Sequence, residues 1–118
     1  MINENRKVRV FVSGPLTTGH MLDNSKKAID VAEMLYQAGY VPVIPHLMIL
    51  WGLVHNHPWG EWMGLCLELV KGCDAVYRFP GISKGAEVEE KTARKLKIPV
   101  FRNIETLKRE IPPDRFKK

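Results

Sequence analysis

Val8-Arg9-Val10-Phe11-Val12-Ser13-Gly14-Pro15 is an apolar, β-branched run closed by two chain breakers. Branched and aromatic side chains pack well on a pleated surface, and Gly-Pro cannot continue it, so the run predicts a strand that stops at Ser13. Residues 17–22 are too polar and glycine-containing to form an element. Asp23-Asn24-Ser25 then supplies helix-capping residue types. Ala28, Val31, Ala32, Leu35 and Ala38 share one helical face, and Gly39 ends that helix.

The same alternation continues to the C-terminus. Residues 40–44 form a second short strand, and Pro42 within it predicts an edge position or a loop-like start. The connection over residues 45–58 carries Trp51 and three histidines, His46, His55 and His57. Its length exceeds an ordinary crossover, which predicts a functional or locally helical segment. Residues 58–71 read as a helix with Met63, Cys66 and Val70 inward, and residues 75–79 as a third strand stopped by Pro80-Gly81. A helix over residues 87–96 carries Val88, Thr92 and Leu96 at helical spacing. Residues 98–101 form the fourth strand, and Asn103 caps a last helix before Pro112-Pro113.

Strictly alternating strands and helices predict a parallel sheet with helices on both faces. The expectation is one three-layer α/β/α domain over residues 1–118, Rossmann-like or flavodoxin-like, with four to five short strands. Residues 1–7 and 112–118 read as flexible tails. Ligands in such sheets bind beyond the carboxyl ends of the strands, which selects the loops beginning at Ser13, Pro45 and Pro80.

Composition sets outer limits. With 45% hydrophobic and 26% charged residues the chain is neither disordered nor membrane-like. No apolar run reaches the roughly 18 residues of a membrane span, and the polar start lacks a signal peptide's apolar core, so a cytoplasmic protein is expected. Cys66 and Cys73 lie seven apart on one helix pattern, about 10 Å, too far for a mutual disulfide. The net charge of +5 is spread along the chain rather than gathered into a stripe with aromatics, which fits an anionic small ligand and disfavours nucleic acid.

The chemistry-bearing residues gather in the selected loops. Residues 13–19, Ser-Gly-Pro-Leu-Thr-Thr-Gly, are small enough to bring backbone N–H groups to an anion, or to make a plain turn. They match neither a Walker nor a dinucleotide-binding pattern. In residues 80–90, Ser83 and Gly85 can form a second phosphate-sized nest, and Glu87, Glu89 and Glu90 follow. Acidic residues at a helix start complement its dipole without any chemistry. They cannot all point one way, however, and Val88 and Thr92 mark a buried side to which Glu89 is adjacent. The histidines lack the spacing of a zinc site, and no metal is expected. Trp51, Trp59 and Trp62 offer either packing or dimer surface, or a lid that stacks on a nucleobase.

Strand-Ser13-Gly14-Pro15, Asn24 in the first helix, Cys73-Asp74-Ala75-Val76 entering the third strand, and Pro80-Gly81-x-Ser83-x-Gly85-Ala86-x-x-Glu89-x-x-x-Ala93 together resemble the nucleoside 2-deoxyribosyltransferase superfamily. The resemblance is closest to its small phage- and prokaryote-type members, related to nucleoside-monophosphate N-glycosidases, and spans residues 8–101. It implies cleavage or transfer at the N-glycosidic bond of a nucleoside or its 5′-monophosphate, without a cofactor. Glu89 takes the position of the nucleophile. Ser83 and Gly85 take those of the phosphate-binding residues, and Ser13, Gly14, Pro15, Asn24 and His46 are expected around the substrate. Family members often complete the site in a homodimer or larger assembly. The family also places an aspartate eight positions before Asp74, where this chain has Cys66. That departure keeps open a non-catalytic module holding a nucleotide or nucleotide sugar. Cys66, Asp74 and Trp62 are therefore residues of unassigned role, with Asp74 read as structural at a strand start.

Overall fold

A computed structural model describes residues 5–117. Four strands, β1 (Arg9–Ser13), β2 (Val41–Val43), β3 (Ala75–Arg78) and β4 (Val100–Phe101), form one all-parallel sheet in the order β2-β1-β3-β4. β2 lies at an edge, where the missing N–H of Pro42 costs no inner ladder bond. Five helices, α1 (Met21–Gln37), α2 (Ile49–Val54), α3 (Trp59–Lys71), α4 (Lys84–Lys95) and α5 (Ile104–Glu110), complete a single α/β domain.

Alternation along β1 builds two cores at once, because successive strand side chains face opposite sides. Val8, Val10 and Val12 pack with Ala28, Ala32 and Leu35 of α1 and Leu107 of α5. Phe11 faces the other way, onto Met63, Cys66 and Val70 of α3 and Ala93 of α4. Both faces are covered, and the central strands β1 and β3 are buried throughout except at their polar ends.

Two helix starts differ from expectation. α1 begins at Met21, not after Asn24, because His20 serves as its cap and accepts from the Asp23 N–H at 3.4 Å. Asn24 and Ser25 are buried inside the helix instead of capping it. α4 begins at Lys84, three residues earlier than its carboxylates suggested, because Ser83 Oγ accepts from the Ala86 N–H at 3.1 Å. Its inward stripe is Ala86, Glu89 and Ala93, while Val88 and Thr92 are only partly buried and Leu96 is exposed. The long connection is locally helical: a 3-10 turn at Pro45–Met48 followed by α2.

Of the expected flexible tails, residues 1–4 and 118 lie outside the described residues. The described parts make packing contacts: the Arg6 guanidinium sits 4.2 Å over the Phe116 ring, and Phe116 lies against the core. Tyr40 Oη, fully buried, donates to the Ile111 carbonyl at 2.7 Å and anchors the segment after α5.

Candidate functional site

The strand order places a topological switch point between β1 and β3. The chain leaves β1 toward β2 on one side and returns to β3 on the other, so the loops after β1 and β3 diverge and open a crevice. A cavity of about 590 Å³ fills it, which suits a nucleotide-sized molecule. Gly14 and Thr17 line it from the first loop, Pro45 and His46 from the second, and Ser83, Gly85 and Glu89 from the third. α2 and α3 add an aromatic and apolar wall that includes Trp59, Trp62 and Met63.

Glu89 is the principal chemical group. It is 6% exposed, and Ser13 Oγ donates to its Oε1 at 2.6 Å, while the described residues give Oε2 no hydrogen bond. Burial pushes its pKa up to about 7 against the opposing pull of the Ser13 hydroxyl and the Arg78 charge. Arg78 makes no ion pair with it. Its guanidinium donates instead to the carbonyls of Phe79 and Gly81, bracing the loop after β3. Glu87 is exposed, and Glu90 pairs with Arg94 and Arg102 at 2.8 and 2.7 Å. Of the three carboxylates only Glu89 enters the cavity.

Close backbone contacts shape the floor. A Cβ on Gly14 would lie 2.2 Å from the Phe79 ring, so only glycine lets the first loop cross there. Gly81 has φ +129°, and a Cβ there would lie 2.5 Å from the Pro15 ring, so the two loops interlock through Gly81 and Pro15. His46 is buried, and its Nε2 stands 3.0 Å from the Pro15 carbonyl. A carbonyl only accepts, so Nε2 carries the proton and Nδ1 is a bare acceptor without a partner among the described residues. Burial lowers the His46 pKa, opposed by the carbonyls of Pro15 and Gly14, which keeps the ring neutral near pH 7.

The remaining expected residues divide between cavity and scaffold. Asn24 donates through Nδ2 to the carbonyls of Leu16 and Thr18 at 2.9 and 2.7 Å. It holds the first loop's shape from behind and is not among the lining residues; neither are Pro15 and Ser13, and Ser13 reaches the cavity only through its bond to Glu89. Asp74 sits at the opposite end of the sheet, where β3 begins. Burial raises its pKa, but two bonds from Arg6 at 2.6 and 2.7 Å and one from the Arg9 N–H outweigh that and hold it below the usual range. Its role is structural. Cys66 does line the cavity, and burial together with the charge of Glu89 pushes its thiol up to about 12.

The tryptophans and histidines do not act as one cluster. Trp51 and Trp62 meet edge to face at 5.1 Å, and His57 stands edge-on to Trp62 at 5.2 Å. Trp62 and His57 line the cavity, whereas His55 is exposed. Among the described residues no three His, Cys, Asp or Glu side chains are arranged to hold a metal ion. No described helix is long and apolar enough to cross a membrane. The cavity wall from α2 and the place of His57 in it had no signal in sequence beyond the length and the histidines of residues 45–58.

A Rossmann-like α/β domain with a buried carboxylate at its switch point is the class these features define. The chain belongs to the family described as Domain of unknown function (DUF4406), whose model matches residues 8–102. No curated protein matches the chain.

Proposed function

We propose that this protein cleaves or transfers at the N-glycosidic bond of a nucleoside or nucleoside 5′-monophosphate, with Glu89 as the nucleophile. The observation that carries the reading is the state of Glu89: among the described residues the one carboxylate in the cavity, buried, oriented by Ser13, and with no partner for Oε2. A pKa of about 7 lets a substantial fraction ionise at neutral pH while keeping the oxygen reactive. Attack by Oε2 on C1′ would release the base and leave a glycosyl ester, which water or a second base resolves. The sequence resemblance supports the same assignment.

The N-terminus of α4 favours a 5′-phosphate. Ser83, Lys84, Gly85 and Ala86, its cap and first turn, all line the cavity, and Ser83 Oγ accepts from the Ala86 N–H. The Trp62 ring provides apolar surface for a base. Leu50, Leu53 and Val54 of α2, each at least two-thirds exposed, favour a homodimer or larger assembly that covers them.

One observation favours a second reading. Cys66 stands where the resembled family has an aspartate, which supports a module that binds a nucleotide or nucleotide sugar without cleaving it. Incubation with a panel of nucleosides and monophosphates, followed by chromatography for free base, separates the two. Released base supports the glycosidase; ligand binding by calorimetry with no release supports the module.

A further inference from the structure

Departure of a neutral nucleobase needs a proton, and the cavity offers few sources. Its ionisable lining side chains are Glu89, Cys66, His46, Lys84 and His57. Glu89 is the nucleophile in the reading above. The Cys66 thiol, with its pKa near 12 beside Glu89, gives up a proton poorly. His46 has its one N–H committed to the Pro15 carbonyl. Lys84 Nζ lies 5.5 Å over the Trp59 ring at the start of α4, the end suited to phosphate. His57 is different. Its Nδ1 stands 3.4 Å from Glu61 Oε1, four residues on in the first turn of α3. Its ring is held edge-on between Trp51, at 6.1 Å, and Trp62, at 5.2 Å. Nε2 has no partner among the described residues.

We infer that His57, oriented by Glu61 and the two tryptophans, is the general acid that protonates the leaving base. The inference rests on the glycosidase reading of the cavity. In the imidazolium, Nδ1–H points to the Glu61 carboxylate and Nε2–H to a nitrogen of the base stacked on Trp62. As Glu89 Oε2 forms its bond to C1′, the C1′–N bond breaks. Its electron pair goes to the base, and the His57 Nε2 proton moves onto the base. In the second half, neutral His57 takes a proton from the water or second base that attacks C1′, and the C1′–O bond to Glu89 breaks, restoring the carboxylate. His57 thus supplies the proton from the α2–α3 connection.

A leaving-group test is decisive. A purine nucleoside monophosphate needs protonation to release its base, whereas the 7-methylated analogue carries its charge already and leaves unaided. His57→Gln is expected to slow release from the unmethylated substrate on the order of 10²-fold or more, and from the methylated one less than tenfold. Glu61→Gln, at an exposed position with little bearing on folding, should show the same selectivity to a smaller degree. Equal losses on both substrates, or no loss on either, in both folded variants would overturn the role of His57 alone. No release from either substrate by the unaltered protein would take down the glycosidase reading and this inference with it.

Discussion

Ser13 at the carboxyl end of β1 and Glu89 on the inward face of α4 are 76 positions apart in sequence and share a hydrogen bond of 2.6 Å. The hydroxyl donates to the charged form of the carboxyl and so lowers its pKa against the effect of burial. Ser13→Ala removes that stabilisation. The pH at which base release reaches half its maximum should therefore move up from about 7. Initial rates across pH 5 to 9 read the shift, and an unchanged midpoint would separate Ser13 from the chemistry.

Glu89→Gln should abolish base release while ligand affinity changes little, since a nucleophile forms its bond only on the reaction path. It also tests linkage. The folded pKa, about 7, lies above the ordinary 4.5, so the native state holds its proton more tightly than the unfolded chain. The stability from this group is fully present below pH 4.5 and is lost as pH rises through 7. Relative to Glu89→Gln, the parent protein should weaken between pH 4.5 and 7 by on the order of 3 kcal/mol. Urea denaturation of both proteins at pH 4.5 and 8 measures it.

Ser83 caps α4 and stands at the proposed phosphate end. Ser83→Ala should weaken phosphate-bearing ligands by about 1–3 kcal/mol, with nucleosides little affected. Loss of the cap should also lower stability by about 0.5–2 kcal/mol. Titration calorimetry with a nucleoside and its monophosphate, beside thermal unfolding, distinguishes the two effects.

Cys66→Asp introduces the carboxylate of the resembled superfamily but sets it beside Glu89 in a buried wall. Two carboxylates there repel, which raises the pKa of Glu89 further and costs several kcal/mol of stability. The expected result is a destabilised protein whose rate maximum lies at higher pH, without a gain in turnover at pH 7. A stable variant with faster release would instead assign position 66 the acid's task.

The exposed face of α2, with Leu53 77% and Val54 75% accessible, should be covered in solution. Light scattering at micromolar concentration is expected to give a mass of at least two chains. Leu53→Glu should shift it toward one, and a monomeric parent protein would leave that face without a partner of its own kind.

Much of this protein is written in short-range pattern. The run from Val8 to Val12 makes a two-faced strand because alternation acts residue by residue, and Gly14-Pro15 stops it. Pro42 narrows its strand to an edge or a loop-like start because a missing N–H is poorly tolerated inside a sheet, and the edge is where β2 lies. Ser83 and Gly85 are legible as a candidate anion nest for the same local reason, while Glu89 is singled out only by the resemblance. Tertiary structure decided the rest. Nothing within α4 says that Ala86, Glu89 and Ala93 face the sheet instead of Val88 and Thr92. Two alanines win because they let the helix lie close against β3 and α3, and Glu89 is carried inward with them. The order β2-β1-β3-β4 opens the crevice, and α2 walls it and turns His57 inward, through contacts between segments tens of residues apart. Such contacts depend on which surfaces are left to bury once the sheet has formed, a quantity no local stretch of sequence contains.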